Sequence, residues 1–127
     1  MSDTAAATAV TAVTWFEIQV RNPQRARRFY ETVLEAPLQE REMNGQRIVV
    51  FPYQRPGIGG SLEVGEPSAQ GTVVYLYVHD SLDGALSRVA AAGGRVETGK
   101  TALAPGMGWF ARIIDSEGNR VGLHAMS

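Results

Sequence analysis

Alternating apolar and polar residues predict several short strands along the chain. From Trp15 to Val20, the apolar side chains Phe16, Ile18 and Val20 occupy every second position. A period of two predicts a strand whose two faces differ, with one set of side chains on each face. Further strands of the first half are predicted within 38–42, 47–52 and 61–64.

The segment after the first strand has apolar residues at helical spacing. Asn22 is a preferred N-cap, and Pro23 suits the first helical position, where the backbone N–H has no partner inside the helix. Apolar residues then recur at i, i+3, i+4, i+7 and i+8, which predicts an amphipathic helix. These residues are Ala26, Phe29, Tyr30, Val33 and Leu34.

The second half of the chain repeats this order of elements. A helix capped by Asp80 or Ser81 is predicted to follow the strand 73–78, and three more strands follow within 95–97, 109–114 and 120–124. Val20-Arg21-Asn22 and Val78-His79-Asp80 stand 58 residues apart at equivalent places. An internal duplication of this kind predicts two modules that pack side by side, each too small to fold well alone.

Glycine-containing pairs place the turns between these elements. Asn44-Gly45 predicts a tight hairpin, and Gly93-Gly94 is expected to end the second helix. We expect a flexible N-terminal tail over 1–13 and one domain over 14–126, with modules at about 14–66 and 72–126.

Composition narrows the class of protein. The chain has 127 residues, of which 44% are hydrophobic and 20% charged, as expected for one globular domain. Its net charge of −1 makes nucleic acid and anionic membranes poor partners. The absence of cysteine excludes disulfides, thiolate metal sites and cysteine nucleophiles. The sequence has no signal-peptide pattern and no apolar run of the roughly 20 residues that a membrane helix needs, so we expect a cytoplasmic protein.

Three segments resemble a known superfamily. They are Arg-Arg-Phe-Tyr-Glu-Thr-Val-Leu at 27–34, Ala-Ala-Gly-Gly-Arg-Val at 91–96 and Ile-Asp-Ser-Glu-Gly-Asn-Arg-Val at 114–121. With the duplicated βαβββ order, they resemble the vicinal oxygen chelate superfamily of glyoxalase I, bleomycin-resistance proteins and extradiol dioxygenases. Glu35 departs from the pattern, because the family usually has a glycine there. The resemblance implies an α+β fold in which two tandem βαβββ modules form an incomplete β-barrel cleft.

Metal-dependent members of that superfamily place one His or carboxylate ligand on the first and last strand of each module. The corresponding residues of this chain are Trp15, Ser61, Val73 and Gly122. Trp, Val and Gly offer no side-chain ligand, and Ser is a poor ligand for divalent ions. The resemblance therefore predicts that the usual metal site is absent and that no cofactor is bound.

Four chemically active residues lie two positions after these metal-ligand positions on the same strands. Because side chains alternate along a strand, they are expected to point to the same side of the sheet. They are Glu17, Glu63, Tyr75 and His124. One hypothesis is a hydrogen-bonded pair of Glu17 and His124 that acts as a general acid and base. A second hypothesis is a shifted divalent metal site formed by Glu17, His124 and Glu63. A structural role for each of these residues is the third possibility.

Other residues are predicted to line the cleft and contact a ligand. Trp15 would fill the metal volume or form a stacking floor, and Trp109 would gate the cleft or cover the core. Arg112 is the only cation expected to substitute for the metal. The full ligand-binding set is Trp15, Gln19, Ser61, Glu63, Tyr75, Tyr77, Trp109 and Arg112.

Two functions are compatible with these residues. The first is a binding protein that holds a small organic ligand in the cleft without the superfamily metal. The second is a lyase or isomerase that uses Glu17 and His124, with or without a divalent metal. The resemblance also implies a homodimer, in which one module of each chain completes a cleft with the other module of its partner. The sequence leaves the identity of the ligand open.

Overall fold

The computed structural model describes residues 13–43 and 45–127, and of Met43 only the backbone. The predicted tail therefore lies outside the described residues except for Val13, as does Asn44 of the predicted hairpin. The first module consists of β1 (Trp15–Val20), α1 (Pro23–Leu34), β2 (Gln39–Met43), β3 (Gln46–Val50) and β4 (Gly59–Val64). The second consists of β5 (Tyr75–Tyr77), α2 (Leu82–Val89), β6 (Arg95–Ala102), β7 (Trp109–Ile114) and β8 (Arg120–Ala125).

Each module forms its own four-stranded sheet. The strand orders are β1-β4-β3-β2 and β5-β8-β7-β6, so the last strand of each module lies beside the first. β1 and β4 run parallel, as do β5 and β8, and the remaining neighbours are antiparallel. Within the described residues these sheets do not close into a barrel. The predicted α+β fold with two βαβββ modules is confirmed.

Helix α1 forms where the sequence predicts it. The side chain of Asn22 accepts a hydrogen bond from the backbone N–H of Arg25 at 3.0 Å and so satisfies one free donor of the first turn. The helix ends at Glu35, whose φ of 53° and ψ of 47° lie in the left-handed region. Glycine adopts this conformation without strain, and a residue with a Cβ does not.

Two strands of the second module differ in length from the prediction. β5 covers only Tyr75–Tyr77 rather than 73–78, although the Val74 carbonyl still accepts the N–H of Gly122 at 2.8 Å. β6 continues to Ala102 rather than ending near Glu97. Its extra residues, Thr-Gly-Lys-Thr-Ala, lack an alternating apolar pattern. They form a strand because they pair with β7 through two irregularities of register.

The hydrophobic core lies between the two sheets and the helices, on one side of both sheets. Ile18, Val20, Leu76, Leu123 and the apolar face of α1 are buried there. The alternate side chains of the same strands lie on the opposite side, which we call the open face. Tyr75 and Tyr77 on this face are 44% and 46% exposed, so neither helix covers it.

The turn between β7 and β8 joins the second module to the first. The Glu117 carboxylate accepts the backbone N–H groups of Arg21 and Asn22 at 3.1 and 3.0 Å. The guanidinium of Arg25 donates to the same carboxylate at 2.5 and 2.8 Å. The Asn119 amide donates to the Gln19 carbonyl at 2.7 Å. This turn thus supplies acceptors and donors to the junction of β1 and α1, where backbone groups would otherwise lack partners.

Neither helix in the described part of the chain is long and apolar enough to cross a membrane.

Candidate functional site: an aromatic cleft on the open face of the second module

The β5–β8 ladder brings aromatic and polar side chains together on the open face. Tyr75 stands opposite Gly122 and Tyr77 opposite His124 in this parallel pair. Because side chains alternate along a strand, all four residues lie on the side of the sheet away from the core. The rings of Tyr77 and His124 are 5.7 Å apart between centroids.

Gly122 allows the ring of Tyr75 to lie flat across β8. A Cβ at residue 122 would overlap the ring atoms of Tyr75. The ring therefore occupies the space into which a side chain at 122 would project. At this position of the sheet, the absence of a side chain on β8 makes room for an aromatic group from β5.

Arg112 on β7 is held in place by Tyr75. Its Nε donates a 2.8 Å hydrogen bond to the phenol oxygen of Tyr75. The guanidinium carbon is 5.8 Å from the centroid of the Tyr75 ring and 5.1 Å from that of Phe110, both within cation–π range. One edge of the guanidinium is thus fixed, and its two terminal nitrogens make no hydrogen bond to any described residue.

His124 connects the loop between β6 and β7 to the sheet. Its Nε2 lies 2.7 Å from the carbonyl oxygen of Met107. Because a carbonyl oxygen only accepts, Nε2 is the donor of this hydrogen bond. The loop is closed at its base by a bond from the Leu103 N–H to the Gly108 carbonyl at 3.0 Å. This bond holds Leu103 beside Tyr75 and Tyr77.

These residues enclose a cavity of about 360 Å³ that opens to solvent. This volume lies at the lower end of the range of roughly 300–1,000 Å³ found for small-molecule sites. Most of its surface is apolar, with the polar groups confined to one guanidinium, one imidazole and two phenols. We call this cavity the aromatic cleft; it is lined by Tyr75, Tyr77, Leu103, Phe110, Arg112 and His124.

The first module presents a different set of groups on its open face. The Trp15 indole N–H donates to Ser61 Oγ at 3.4 Å, and Ser61 donates to Glu63 Oε2 at 2.6 Å. The Trp15 ring also meets the ring of Tyr53 edge-on, 5.6 Å away between centroids. Ser61 is fully buried beneath these groups. The four residues form a connected structural cluster, in which Trp15 contacts both Ser61 and Tyr53.

A second cavity, of about 160 Å³, lies at the seam between the modules. Glu17 and Gln19 line it together with Asn119 and the segment 68–74. The side-chain oxygen of Asn119 accepts the Ser68 N–H at 2.7 Å, and its nitrogen already has acceptors. The seam cavity is smaller and more polar than the aromatic cleft. The side-chain amide of Asn119 in its wall is already hydrogen-bonded within the chain.

The predicted site residues thus fall into separate groups. Glu17 and His124 lie on different sheets and share no hydrogen bond within the chain. Among the described residues, no three His, Asp or Glu side chains form a group that could hold a metal ion. Glu17, Glu63 and His124 therefore do not form such a group. The single chain therefore does not assemble the predicted acid–base pair or the shifted metal set.

Trp109 does not line the aromatic cleft. Ala111 and Ile113 of the same strand are buried in the core, and the period of two places Trp109 on their side. There it packs against the core beneath Lys100, whose Nζ is 4.6 Å from the ring centroid. The neighbouring Phe110 lines the cleft instead. Phe110 could have been predicted from Arg112, because residues two positions apart on a strand lie on the same face.

In this chain, the residues at the positions that hold the metal in the vicinal oxygen chelate superfamily do not suit a divalent cation. Gly122 offers no ligand and its space contains the ring of Tyr75. The Trp15 nitrogen is a donor, and the Ser61 hydroxyl is bonded to Glu63. A cation at Gly122 would have to displace the ring of Tyr75, a cation at Trp15 and Ser61 would have to displace the indole, and either would find few anionic oxygens.

Comparison with known proteins places the chain in a family. Residues 12–123 match the family described as the Glyoxalase/Bleomycin resistance protein/Dioxygenase superfamily. The chain belongs to this superfamily. The comparison with curated proteins found no match.

Solved structures of the superfamily share the fold at low sequence identity. An antibiotic-binding protein from a Streptomyces species, TnmS3, is 20% identical with a TM-score of 0.64, covering 94% of this chain and 99% of that one. The fosfomycin resistance protein FosX from Listeria monocytogenes, in complex with manganese(II) and a dihydroxypropylphosphonic acid, is 14% identical with a TM-score of 0.65, covering 94% and 93%. A glyoxalase/bleomycin resistance protein from Albidiferax ferrireducens is 12% identical with a TM-score of 0.63, covering 91% and 98%. At these identities the likeness concerns the fold alone.

Proposed function

We propose that this protein binds a small organic ligand in the aromatic cleft and does so without the divalent metal of its superfamily. The observation that carries the proposal is the cavity of about 360 Å³ with exposed tyrosine rings on its wall. Exposed aromatic side chains cost solvation free energy unless a ligand or partner covers them. A planar or apolar ligand would gain stacking area from Tyr77 and Phe110 and orientation from the few polar groups.

The superfamily offers precedent for binding without established catalysis. TnmS3, which shares the fold, is described as an antibiotic-binding protein. Replacement of the metal ligands by Trp15, Ser61 and Gly122 favours binding over chemistry that needs a Lewis acid. A cytoplasmic location belongs to the same proposal.

The proposed assembly is a homodimer. Several exposed apolar side chains lie on or beside the open face, and a second copy placed against it would remove them from water. These include Tyr53, Tyr75, Tyr77, Leu103 and Met107. The aromatic cleft of one copy would then be completed by the first module of its partner, and a monomeric mass in light scattering would contradict this assembly.

The proposal is tested by screening a library of planar small molecules for a rise in melting temperature. Hits should lose most of their effect in Tyr77→Ala and Phe110→Ala. Val64→Ala is the control, because Val64 is 73% exposed but lies outside the cleft. Hits that bind all three variants equally would show that the ligand site is elsewhere.

A further inference from the structure

The aromatic cleft carries a positive charge, that of Arg112, which forms no ion pair with an acidic group of the described residues. Arg112 is the only arginine or lysine of its lining, which contains no aspartate or glutamate. One carboxylate that interacts with Arg112 is that of Glu97, but the pKa of Glu97 is lowered chiefly by a hydrogen bond from Arg120, and Arg112 is the smallest of the causes that lower it. Arg120 donates to both of its oxygens at 2.6 and 3.1 Å. Glu97 is therefore already paired, and Arg112 makes no ion pair within the described residues.

The geometry of Arg112 leaves a specific set of donors open. Its Nε is engaged by the Tyr75 oxygen, so the guanidinium presents its terminal nitrogens. The Tyr75 oxygen accepts from Arg112, which leaves the phenolic hydrogen free to donate. Phe110 and the Tyr75 ring flank the cation and restrict its rotation. A guanidinium that is fixed at one edge loses little conformational entropy when it binds an anion.

We propose that the ligand of the aromatic cleft is an organic anion with a planar apolar body, and that Arg112 and the Tyr75 hydroxyl hold its carboxylate. The inference rests on the proposed binding function and adds the charge of the ligand. The two terminal nitrogens of a guanidinium match the two oxygens of a carboxylate. The ligand's apolar body would lie against Tyr77, Leu103 and Phe110, which form the uncharged wall of the cleft.

Three matched probes test the charge of the ligand. 2-Naphthoate, 2-naphthamide and 2-naphthamidine have the same ring system and carry a negative, no and a positive charge. Isothermal titration calorimetry with the full chain should show that naphthoate binds about 10- to 100-fold more tightly than naphthamide, as expected for charge-assisted hydrogen bonds. The amidine should bind most weakly. The preference should decrease as salt rises.

Variants of Arg112 locate the source of the preference. Arg112→Gln should bind the acid and the amide with equal affinity, and Arg112→Lys should keep part of the preference through its charge. Arg28→Gln is the control, because Arg28 is exposed on α1 and remote from the cleft. Circular dichroism and the melting temperature verify that each variant is folded.

Distinct outcomes overturn the inference and the proposed function. Equal binding of acid and amide to the wild type overturns the anion assignment alone. If no naphthalene probe binds but neutral library compounds do, the anion assignment again fails alone. If no compound binds, both fail. If Arg112→Gln keeps the preference, or instead lowers the dimer fraction in light scattering, Arg112 does not serve the ligand and pairs elsewhere.

Discussion

The phenol of Tyr30 donates a 2.5 Å hydrogen bond to the buried carboxylate of Asp115, across 85 residues of sequence. This bond joins helix α1 of the first module to the β7–β8 turn of the second. Oδ1 of the same carboxylate accepts the backbone N–H groups of Glu117 and Asn119, both at 2.8 Å. Asp115 thereby holds the shape of its own turn and fixes that turn to the other module.

Removing the Tyr30 hydroxyl should loosen the contact between the modules. Burial, with the adjacent Asp115 carboxylate, raises the pKa of Tyr30 well above its usual value, so the phenol remains a donor. Tyr30→Phe leaves Asp115 Oδ2 with only the Asn119 amide at 3.1 Å. We expect a loss of about 1.5–3 kcal/mol in the free energy of unfolding, measured in urea.

The matched control for Tyr30→Phe is Tyr53→Phe. Tyr53 is 40% exposed, and its contact with Trp15 is between rings, so the loss should remain within about 0.5 kcal/mol. Equal stability of the two variants would show that the Tyr30–Asp115 bond contributes nothing beyond packing.

Glu117 should make stability depend on pH in the acid range. The Arg25 guanidinium, aided by the Asn22 N–H and the Ser116 hydroxyl and opposed by burial, lowers the pKa of Glu117 to about 2. A carboxyl whose pKa is lower in the folded state stabilises fully above its unfolded pKa of 4.5. That contribution, of the order of 3 kcal/mol, is lost as the pH falls from about 5 toward 2.

Urea unfolding of wild type and Glu117→Gln between pH 7 and 2.5 tests this expectation. The difference in stability between the two proteins should be largest at neutral pH and should shrink as the solution becomes acidic. Glu66→Gln is the control, because the pKa of Glu66 is also lowered by Arg21 but the pair is solvent-exposed. A difference between wild type and the Glu117→Gln variant that is independent of pH would contradict the role of the carboxylate charge.

Replacing Glu35 by glycine should stabilise the protein. The left-handed conformation at the end of α1 is unfavourable for a residue with a Cβ. Relief of this strain, less the greater entropy of glycine in the unfolded chain, should raise the free energy of unfolding by about 0.5–1 kcal/mol. Glu35→Ala keeps the strain but also removes the 3.8 Å ion pair with Arg88. If the alanine and glycine variants are equally stable, strain at this position is negligible.

The local elements could be predicted from the sequence because their signals are local. β1 and α1 have the predicted start positions, since alternation and the Asn22-Pro23 cap act over a few residues. β6 is longer than predicted, because its polar end forms only through pairing with β7. Arg25 lies off the apolar stripe of α1 and binds Glu117, 92 positions away. Nothing in the local pattern indicates that contact.

The candidate site was predictable in part for the same reason. Tyr75, Tyr77 and His124 follow from the duplication and the period of two, and Phe110 follows from Arg112. The hydrogen bond from Arg112 to Tyr75 and that from His124 to Met107 depend on the packing of a loop. The resemblance groups Glu17 with His124 because each lies two positions beyond a metal-ligand position of the superfamily. Their separation follows from the placement of the two modules in different sheets.

His124 should act on ligand binding through the loop that it holds. Without the bond from Nε2 to the Met107 carbonyl, residues 103–108 lose their side-chain connection to β8. We expect His124→Ala to speed hydrogen exchange of a peptide that covers this loop and to weaken ligand binding several-fold. His79→Ala is the control, because His79 is exposed, packs against the ring of Tyr77 and has no hydrogen bond to the loop among the described residues. Unchanged exchange in the His124 variant would show that the loop is held by its own backbone bonds.

Metal titration separates the binding proposal from the enzymatic alternative. Gly122 lacks a ligand atom and the Tyr75 ring covers it, so we expect cobalt(II) and nickel(II) to bind below one equivalent per chain. Elemental analysis after dialysis measures the metal content, and His79→Ala accounts for adventitious binding by a surface imidazole. One tightly bound equivalent that disappears in both Glu17→Ala and His124→Ala would support the shifted metal site instead. Because these residues lie on different sheets of one chain, such a site would also require a rearrangement or a partner chain to bring them together.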